Sequence, residues 1–423
     1  MSRILLLYVL ALSLGAVERT APPQAPQPSK NQGRAGTYQV PTTIGAYNYY
    51  VCVPASYDST HPAGLHAFFH GQNGQGGAKE FGGWRKEFLE NHRLIGINME
   101  YTDGDNGKDT EGKVKAAQEA IAQVTADYKI VQRGAVASFS GGGLPHGLLL
   151  EQVGKTRSAQ WPFCHSTMYS SNFFRDPTTA VPMSWCITIG TEEWALADLG
   201  RTAVARAGEL YQASLKNGCP DIRFVMTRKG HTVPAEDVTA SAKTFVLSDL
   251  AFGAFLYAPD FTEKELRTIV EQANRQQPAA AAAALIKLLA KPTLDAGLKT
   301  KGELLQTQIG ERLDRIATAL STLPGEDPVL TTYYGPQLFA QMKGDAREKD
   351  LKAGLATAMK GKDAQATLAA HAELAKQFTS LFGGGGNPGV VPDKRTLVTA
   401  LTPLLPATSR AGANLADIAA AAR

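Results

Sequence analysis

A serine between glycines and small residues is the first feature of this chain that can do chemistry. Ala137-Ser138-Phe139-Ser140-Gly141-Gly142-Gly143 leads from an apolar, strand-like stretch into a helical pattern. A serine exposed on a sharp strand-to-helix turn needs tiny neighbours two positions to either side, hence the pattern G-x-S-x-G. Gly142 supplies the second small residue, and Ser138 stands where the first glycine is usual. By itself such a stretch is as readily a plain structural turn, so other residues must decide. His70-Gly71-Gln72 closes one strand-like run, Gly190-Thr191-Glu192-Glu193 follows another, and Gly230-His231 follows a third. Serine, carboxylate and imidazole supply a nucleophile, an orienting acid and a general base. Ser140 Oγ would attack an acyl carbonyl while His231 takes its proton and later returns it to the leaving group. Glu193 would hold the imidazole tautomer. The backbone N–H groups of Gly141 and Gln72 would face the developing oxyanion, and losing one such donor typically costs roughly 10²–10³ in rate. Gly141 also opens a helix, whose N-terminal dipole favours negative charge.

Several residues compete for these roles or for others. Glu192 and Asp198 are rivals of Glu193 for the acid. His146, in the helix behind the nucleophile, reads as a packing or surface residue rather than the base. His66 and His70 share a strand face at four-residue spacing, but no third ligand accompanies them and no metal site is expected. The acidic loop Asp103–Asp109 hints at calcium, yet Lys108 falls where an EF-hand needs glycine, which leaves a solvated turn. Trp84, Tyr101, Tyr169, Phe173, Phe174 and Trp194 stand in or beside loops at strand ends. They can line an apolar substrate pocket, and buried packing accounts for each equally well. No cofactor is expected.

The elements that must position these groups alternate. Strand candidates are Tyr47–Val53, Leu65–His70, Leu94–Tyr101, Gly134–Phe139, Trp185–Ile189 and Ile222–Thr227. Helix candidates are Gly82–Asn91, Glu111–Asp127, Leu144–Val153, Leu196–Leu215 and Ala235–Ser248. This rhythm predicts a mostly parallel sheet with helices on both faces, its middle strands apolar throughout. All four chemical elements then fall at C-terminal strand ends, where open α/β sheets bind ligands. The stretch Trp161–Met183 is long for a connection and reads as a partial lid. After about Pro259 the pattern is helical. Thr262 and Glu265 form a capping box before the stripe Leu266, Ile269, Val270 and Ala273, and Pro278 opens a helix over Ala279–Lys291. Further helices are expected over Gly302–Leu320, Leu351–Met359 and Ala364–Phe378, with two short ones closing the chain after Gly383–Gly386.

Together, these residues resemble the α/β-hydrolase superfamily over residues 37–252, about half the chain, where the triad partners follow in the order Ser, Asp/Glu, His. The pairing of His70-Gly71 with Ser138-x-Ser140-Gly141-Gly142 and the Gly190-Thr191-x-Glu193 turn is most similar to secreted esterases of the polyhydroxybutyrate-depolymerase and feruloyl-esterase type. The resemblance implies an α/β-hydrolase fold and hydrolysis of a small-molecule or polymeric carboxylic ester through an acyl-enzyme. The chain departs from it in Ser138 for glycine and in glutamate for the commoner aspartate. A hydrolase-fold binding protein docking through its helices, a peptidase and an acyltransferase are the alternatives.

Composition sets the frame. The chain has 423 residues, 43% hydrophobic and 19% charged, with a net charge of +4. That small excess, without a dense run of Lys and Arg, excludes nucleic acid as a partner. Arg3, the apolar run Ile4–Leu14 and the small residues Ser13, Gly15 and Ala16 read as a signal peptide, so export to a secreted or periplasmic location is expected. The run is too short to span the ~30 Å hydrocarbon core of a membrane. The expected layout is a signal peptide over 1–16, a Pro/Gln-rich flexible linker over 17–36, a catalytic region over 37–257 and a helical region over 258–423, separable from catalysis. Cys52, Cys164, Cys186 and Cys219 allow up to two disulfides or buried free thiols. Oligomeric state is not legible.

Overall fold

A computed structural model describes residues 27–44, 47–58, 61–71, 84–101, 109–156, 163–169, 184–190, 221–227, 230–233, 235–382, 402–406 and 409–421. Among these, eight strands form one sheet: β1 (Gly36–Pro41), β2 (Asn48–Val53), β3 (Ala63–Phe69), β4 (Leu94–Glu100), β5 (Ile130–Phe139), β6 (His165–Tyr169), β7 (Ser184–Gly190) and β8 (Ile222–Thr227). Their order is β1-β2-β4-β3-β5-β6-β7-β8. β2 runs antiparallel to β1 and β4, and the remaining pairs are parallel. This is the α/β-hydrolase fold. All seven residues of β3 are buried, as a central parallel strand covered on both faces requires.

Alternation along the strands assigns the faces. Leu65, Ala67, Phe69, Val136 and Ile187 join a core with α2 (Thr110–Asp127) and α3 (Gly143–Thr156). Residues of opposite parity, among them Ala135, pack with Phe88 and Leu89 of α1 (Trp84–His92) and Phe245 of α4 (Ala235–Phe252).

The six strands expected from sequence are present, Ile222–Thr227 with its expected ends and the other five with shifted ones; two more are not anticipated. β6, with the sequence His-Ser-Thr-Met-Tyr, lies inside the stretch read as a lid, yet it is an inner strand with every residue buried. Its polar side chains are paired: His165 Nδ1 meets Ser184 Oγ at 2.7 Å, and Nε2 meets Ser241 Oγ at 2.9 Å. Such pairing removes the cost of burying them. β1 sits at the sheet edge and begins at Gly36, the last residue of the segment read as linker. The end of that linker is itself anchored, since Ser29 N and Oγ donate to the Asp127 carboxylate at 2.5 and 2.8 Å. The expected helix Leu196–Leu215 and the signal segment lie outside the described residues.

The second half is helical: α5 (Lys264–Asn274), α6 (Pro278–Leu289), α7 (Ala296–Glu326), α8 (Pro328–Met342), α9 (Glu348–Met359), α10 (Lys362–Phe382) and α11 (Arg410–Ala421). The stripe Leu266, Ile269, Val270 and Ala273 is buried as expected. The capping box is not formed. Glu263 occupies the N-cap position, and no side chain caps the helix. α8 is unanticipated, because Gly335 and Pro336 interrupt its pattern. Asp327 starts it, its Oδ1 accepting from Val329 N and Leu330 N at 3.1 and 3.0 Å.

This half does not stand apart from the sheet. Leu374 of α10, Leu405, and Ala411 and Leu415 of α11 belong to the same core as β3 and β5. Cys52 and Cys164 are free thiols, Cys186 is buried in β7, and Cys219 lies outside the described residues. No helix among the described residues is long and apolar enough to cross a membrane.

Candidate active site

β5 runs out at Phe139 into a 3₁₀ turn over Ser140–Gly142, and α3 begins at Gly143. Ser140 has φ of 50°, the left-handed region that a residue with a side chain enters at a cost. The turn is sharp because it must fit against the end of β3. A Cβ on Gly142 would lie 2.3 Å from the Phe69 carbonyl oxygen and 2.6 Å from that of His70, so only glycine is accommodated. Gly71 is equally constrained, since a Cβ there would come within 2.9 Å of both Phe139 Cδ1 and Ser140 Cβ. The His70-Gly71 segment therefore lies directly against the serine. Gly141 is buried in the turn.

That segment is held from behind. His70 Nδ1 donates to the Gly71 carbonyl at 2.7 Å, an acceptor that places the proton on Nδ1. The Tyr101 hydroxyl donates to the His70 carbonyl at 2.6 Å, and the two rings stack with centroids 3.9 Å apart. Lys113 Nζ of α2 sits 4.2 Å from the Tyr101 ring centroid. Tyr101, expected at a substrate pocket, is thus buried as a support for the loop. His66 packs instead against Phe88 of α1, centroids 5.4 Å apart, so His66 in β3 and His70 just after it have separate surroundings. Burial pushes His66 down to about 3.

His146 is neither surface nor base. It is fully buried in α3, with Nδ1 2.8 Å from Ser138 Oγ and Nε2 3.1 Å from Ser166 Oγ. Its ring stacks on Phe69. Burial pushes it down to about 3, so it is neutral at ordinary pH, one nitrogen donating and the other accepting. This pairing accounts for Ser138 in place of glycine: the hydroxyl is one end of a bridge linking β5, α3 and β6 beneath Ser140. The departure at Ser138 was the sequence signal for it, but the partner lay eight residues on, in a position read as packing.

His231 is exposed in the connection between β8 and α4. Its ring lies 4.7 Å, centroid to centroid, from that of Phe139, the residue before Ser140. Tyr169, also expected to line the pocket, is buried in a cluster with Phe68, Ala137 and Val238, against which Phe139 packs. α1 begins at Trp84, whose side chain lies outside the described residues. Gln72, Phe173, Phe174, Glu192, Glu193, Trp194, Asp198 and the loop 102–108 also lie outside them. Asp109, at the end of that loop, caps α2 by accepting from Gly112 N at 3.0 Å.

No protein-family description matches this chain, and no curated protein does. Solved structures with a similar partial shape include S-formylglutathione hydrolase from Staphylococcus aureus, at 12% identity and a TM-score of 0.36, covering 50% of this chain and 97% of that one. A poly(3-hydroxybutyrate) depolymerase from Bordetella parapertussis has 16% identity and a TM-score of 0.34, covering 52% of this chain and 90% of its own. An esterase from Pyrococcus furiosus has 11% identity and a TM-score of 0.36, covering 49% and 90%. Likeness at this level carries no weight for activity, which has to be read from this chain's own residues.

Proposed function

We propose that the protein is a serine hydrolase that cleaves carboxylic esters through an acyl-enzyme, with Ser140 as nucleophile. The observation that carries this reading is Ser140 itself. A serine held at positive φ on a strand-turn-helix, with Gly71 pressed against it and Gly142 against the end of β3, is strain that a plain turn has no reason to keep. His231, beside Phe139, is within reach of the role of general base. The acid would be Glu193, which follows β7 in the chain, and Gly141 N and Gln72 N would bind the oxyanion. In the reaction, Ser140 Oγ adds to the acyl carbonyl and gives its proton to His231. The imidazolium then protonates the departing alkoxide. Water repeats the sequence on the acyl-serine and frees the acid. With its expected signal peptide, the enzyme would act outside the cytoplasm on a small or polymeric ester.

A fluorophosphonate probe tests this reading. The wild type should be labelled, with the adduct on Ser140, and turnover of p-nitrophenyl esters should vanish in Ser140→Ala. Labelling that persists in Ser140→Ala rejects the assignment. Glu193→Gln should lower turnover by up to ~10⁴, as loss of the triad acid does elsewhere, while Glu192→Gln and Asp198→Asn keep most of it.

A further inference from the structure

His231 stands between β8 and α4, and both elements end, away from the site, on side chains of the helical half. β8 starts after Asp221, a fully buried carboxylate. Arg410 of α11 donates to Asp221 Oδ1 from Nε at 3.0 Å, and the Tyr334 hydroxyl of α8 donates to Oδ2. A carboxylate in this position is tolerated only with such partners. Asn414 of α11 adds a bond from Nδ2 to the Ile222 carbonyl at 2.7 Å, and Asn414 and Asp417 both accept from Arg223. At the far end of α4, the last carbonyls have no donor within their own helix. Arg312 of α7, buried, donates from Nη2 to the carbonyls of Asp249, Leu250 and Gly253 at 3.1, 2.7 and 3.0 Å. Gln341 of α8 donates from Nε2 to Leu250 and Ala251 at 3.1 and 3.3 Å. A cation here also meets the negative end of the helix dipole. Buried polar groups of the helical half thus find their partners in the sheet half, on the two elements that flank His231.

We propose that Arg312 and Arg410 are positioning residues for His231: acting through α4 and β8, they set where the imidazole stands relative to Ser140. The proposal rests on His231 being the base. α4 is a rod roughly 27 Å long, and a shift at one end of a packed helix is carried to the other. A displacement of about 1 Å at a catalytic group can cost ~10²-fold in rate.

The test uses the full chain with Arg312→Met, Arg312→Lys and Gln341→Leu, beside Leu285→Ala. Leu285 is a buried leucine of α6, outside both clusters. Melting midpoints are recorded first. Then kcat and KM on p-nitrophenyl butyrate, and the rate of fluorophosphonate labelling at Ser140, are measured well below every midpoint. Arg312→Met should lower kcat and labelling at least about tenfold with KM within about twofold, and Arg312→Lys should recover part of the loss. Leu285→Ala should lower the midpoint comparably while kcat stays at the wild-type value. A folded Arg312→Met with wild-type kcat overturns the proposal, as does an equal loss of kcat in Leu285→Ala. If Arg312→Met does not fold, Gln341→Leu decides in the same way, because it removes a donor without removing a charge. A wild type that never labels at Ser140 overturns the hydrolase reading and the positioning role together. Labelling of the wild type with unaffected Arg312 and Gln341 variants overturns the positioning role alone.

Discussion

In the sheet half, buried polar side chains pair with one another: His146 with Ser138 and Ser166, His165 with Ser184 and Ser241. In the helical half the core is almost wholly aliphatic, with Leu266, Leu285, Leu305, Ile309, Leu313 and Leu338 at its centre. Its buried Arg312 and Gln341 face outward, to α4. One half uses polar pairs to fix its own register near a strained turn. The other turns Arg312 and Gln341 to its neighbour. The difference teaches that the helical half supports the sheet half.

The widest test of that contrast removes the support. Cutting the chain after Tyr257 strips Tyr334 and Arg410 from Asp221 and exposes Leu250 and Leu256, which are buried in the second core. The shortened protein should lose its cooperative thermal transition in circular dichroism. A sharp transition with retained small-ester activity would instead show that the halves are separable, as the sequence pattern suggests.

The next test exchanges one interior for the other. His146→Ala leaves a cavity and two buried hydroxyls without their partner, which should cost about 3–5 kcal/mol by urea denaturation. Leu285→Ala, in the aliphatic core, should cost about 2–5 kcal/mol from the cavity alone. The comparison sharpens with Ser138→Gly, which restores the usual small residue yet strands a nitrogen of His146. It should destabilise by about 1–3 kcal/mol. A neutral Ser138→Gly would mean that the His146 bridge contributes nothing.

Acid should act on the sheet half first. Burial holds His66 and His146 down to about 3, His92 down to about 4, and His165 well below its ordinary value. For His66, His146 and His92 the unfolded chain takes up the proton near pH 6.5 and the folded one only near 3–4. Their contribution is therefore fully present above about pH 6.5 and is lost as pH falls toward 4, by about 1 kcal/mol per pH unit for each group. Urea midpoints between pH 7.5 and 4.5 check this, and a flat profile would refute it. The smallest effect lies at Ser140. Ser140→Gly removes a side chain from the left-handed region, so the variant should be more stable by up to about 1 kcal/mol.

Much of this was legible from the residues. The apolar runs of β3 and β4 and the glycines around Ser140 have local physical causes, so the strands and the turn could be read directly. The stripe of α5 showed for the same reason. β6 could not, because His165, Ser166 and Thr167 look like loop residues until Ser184 and Ser241 are brought beside them. α8 was hidden by Gly335 and Pro336, and Tyr101 gave no sign that it holds the His70 carbonyl. Arg312 gave no local sign either, since its acceptors are about 60 residues away. What escapes a linear reading is pairing at a distance.

The bond from Arg410 to Asp221 joins residues 189 positions apart. A chain made at ~5–20 residues per second needs roughly 10–40 s after Asp221 before Arg410 exists. For that interval β8, an edge strand, has no α11 to pack on it, and Asp221 has no Arg410. Contacts of such separation also make folding slow. The connection bearing His231 is thus among the last parts of the molecule to be fixed.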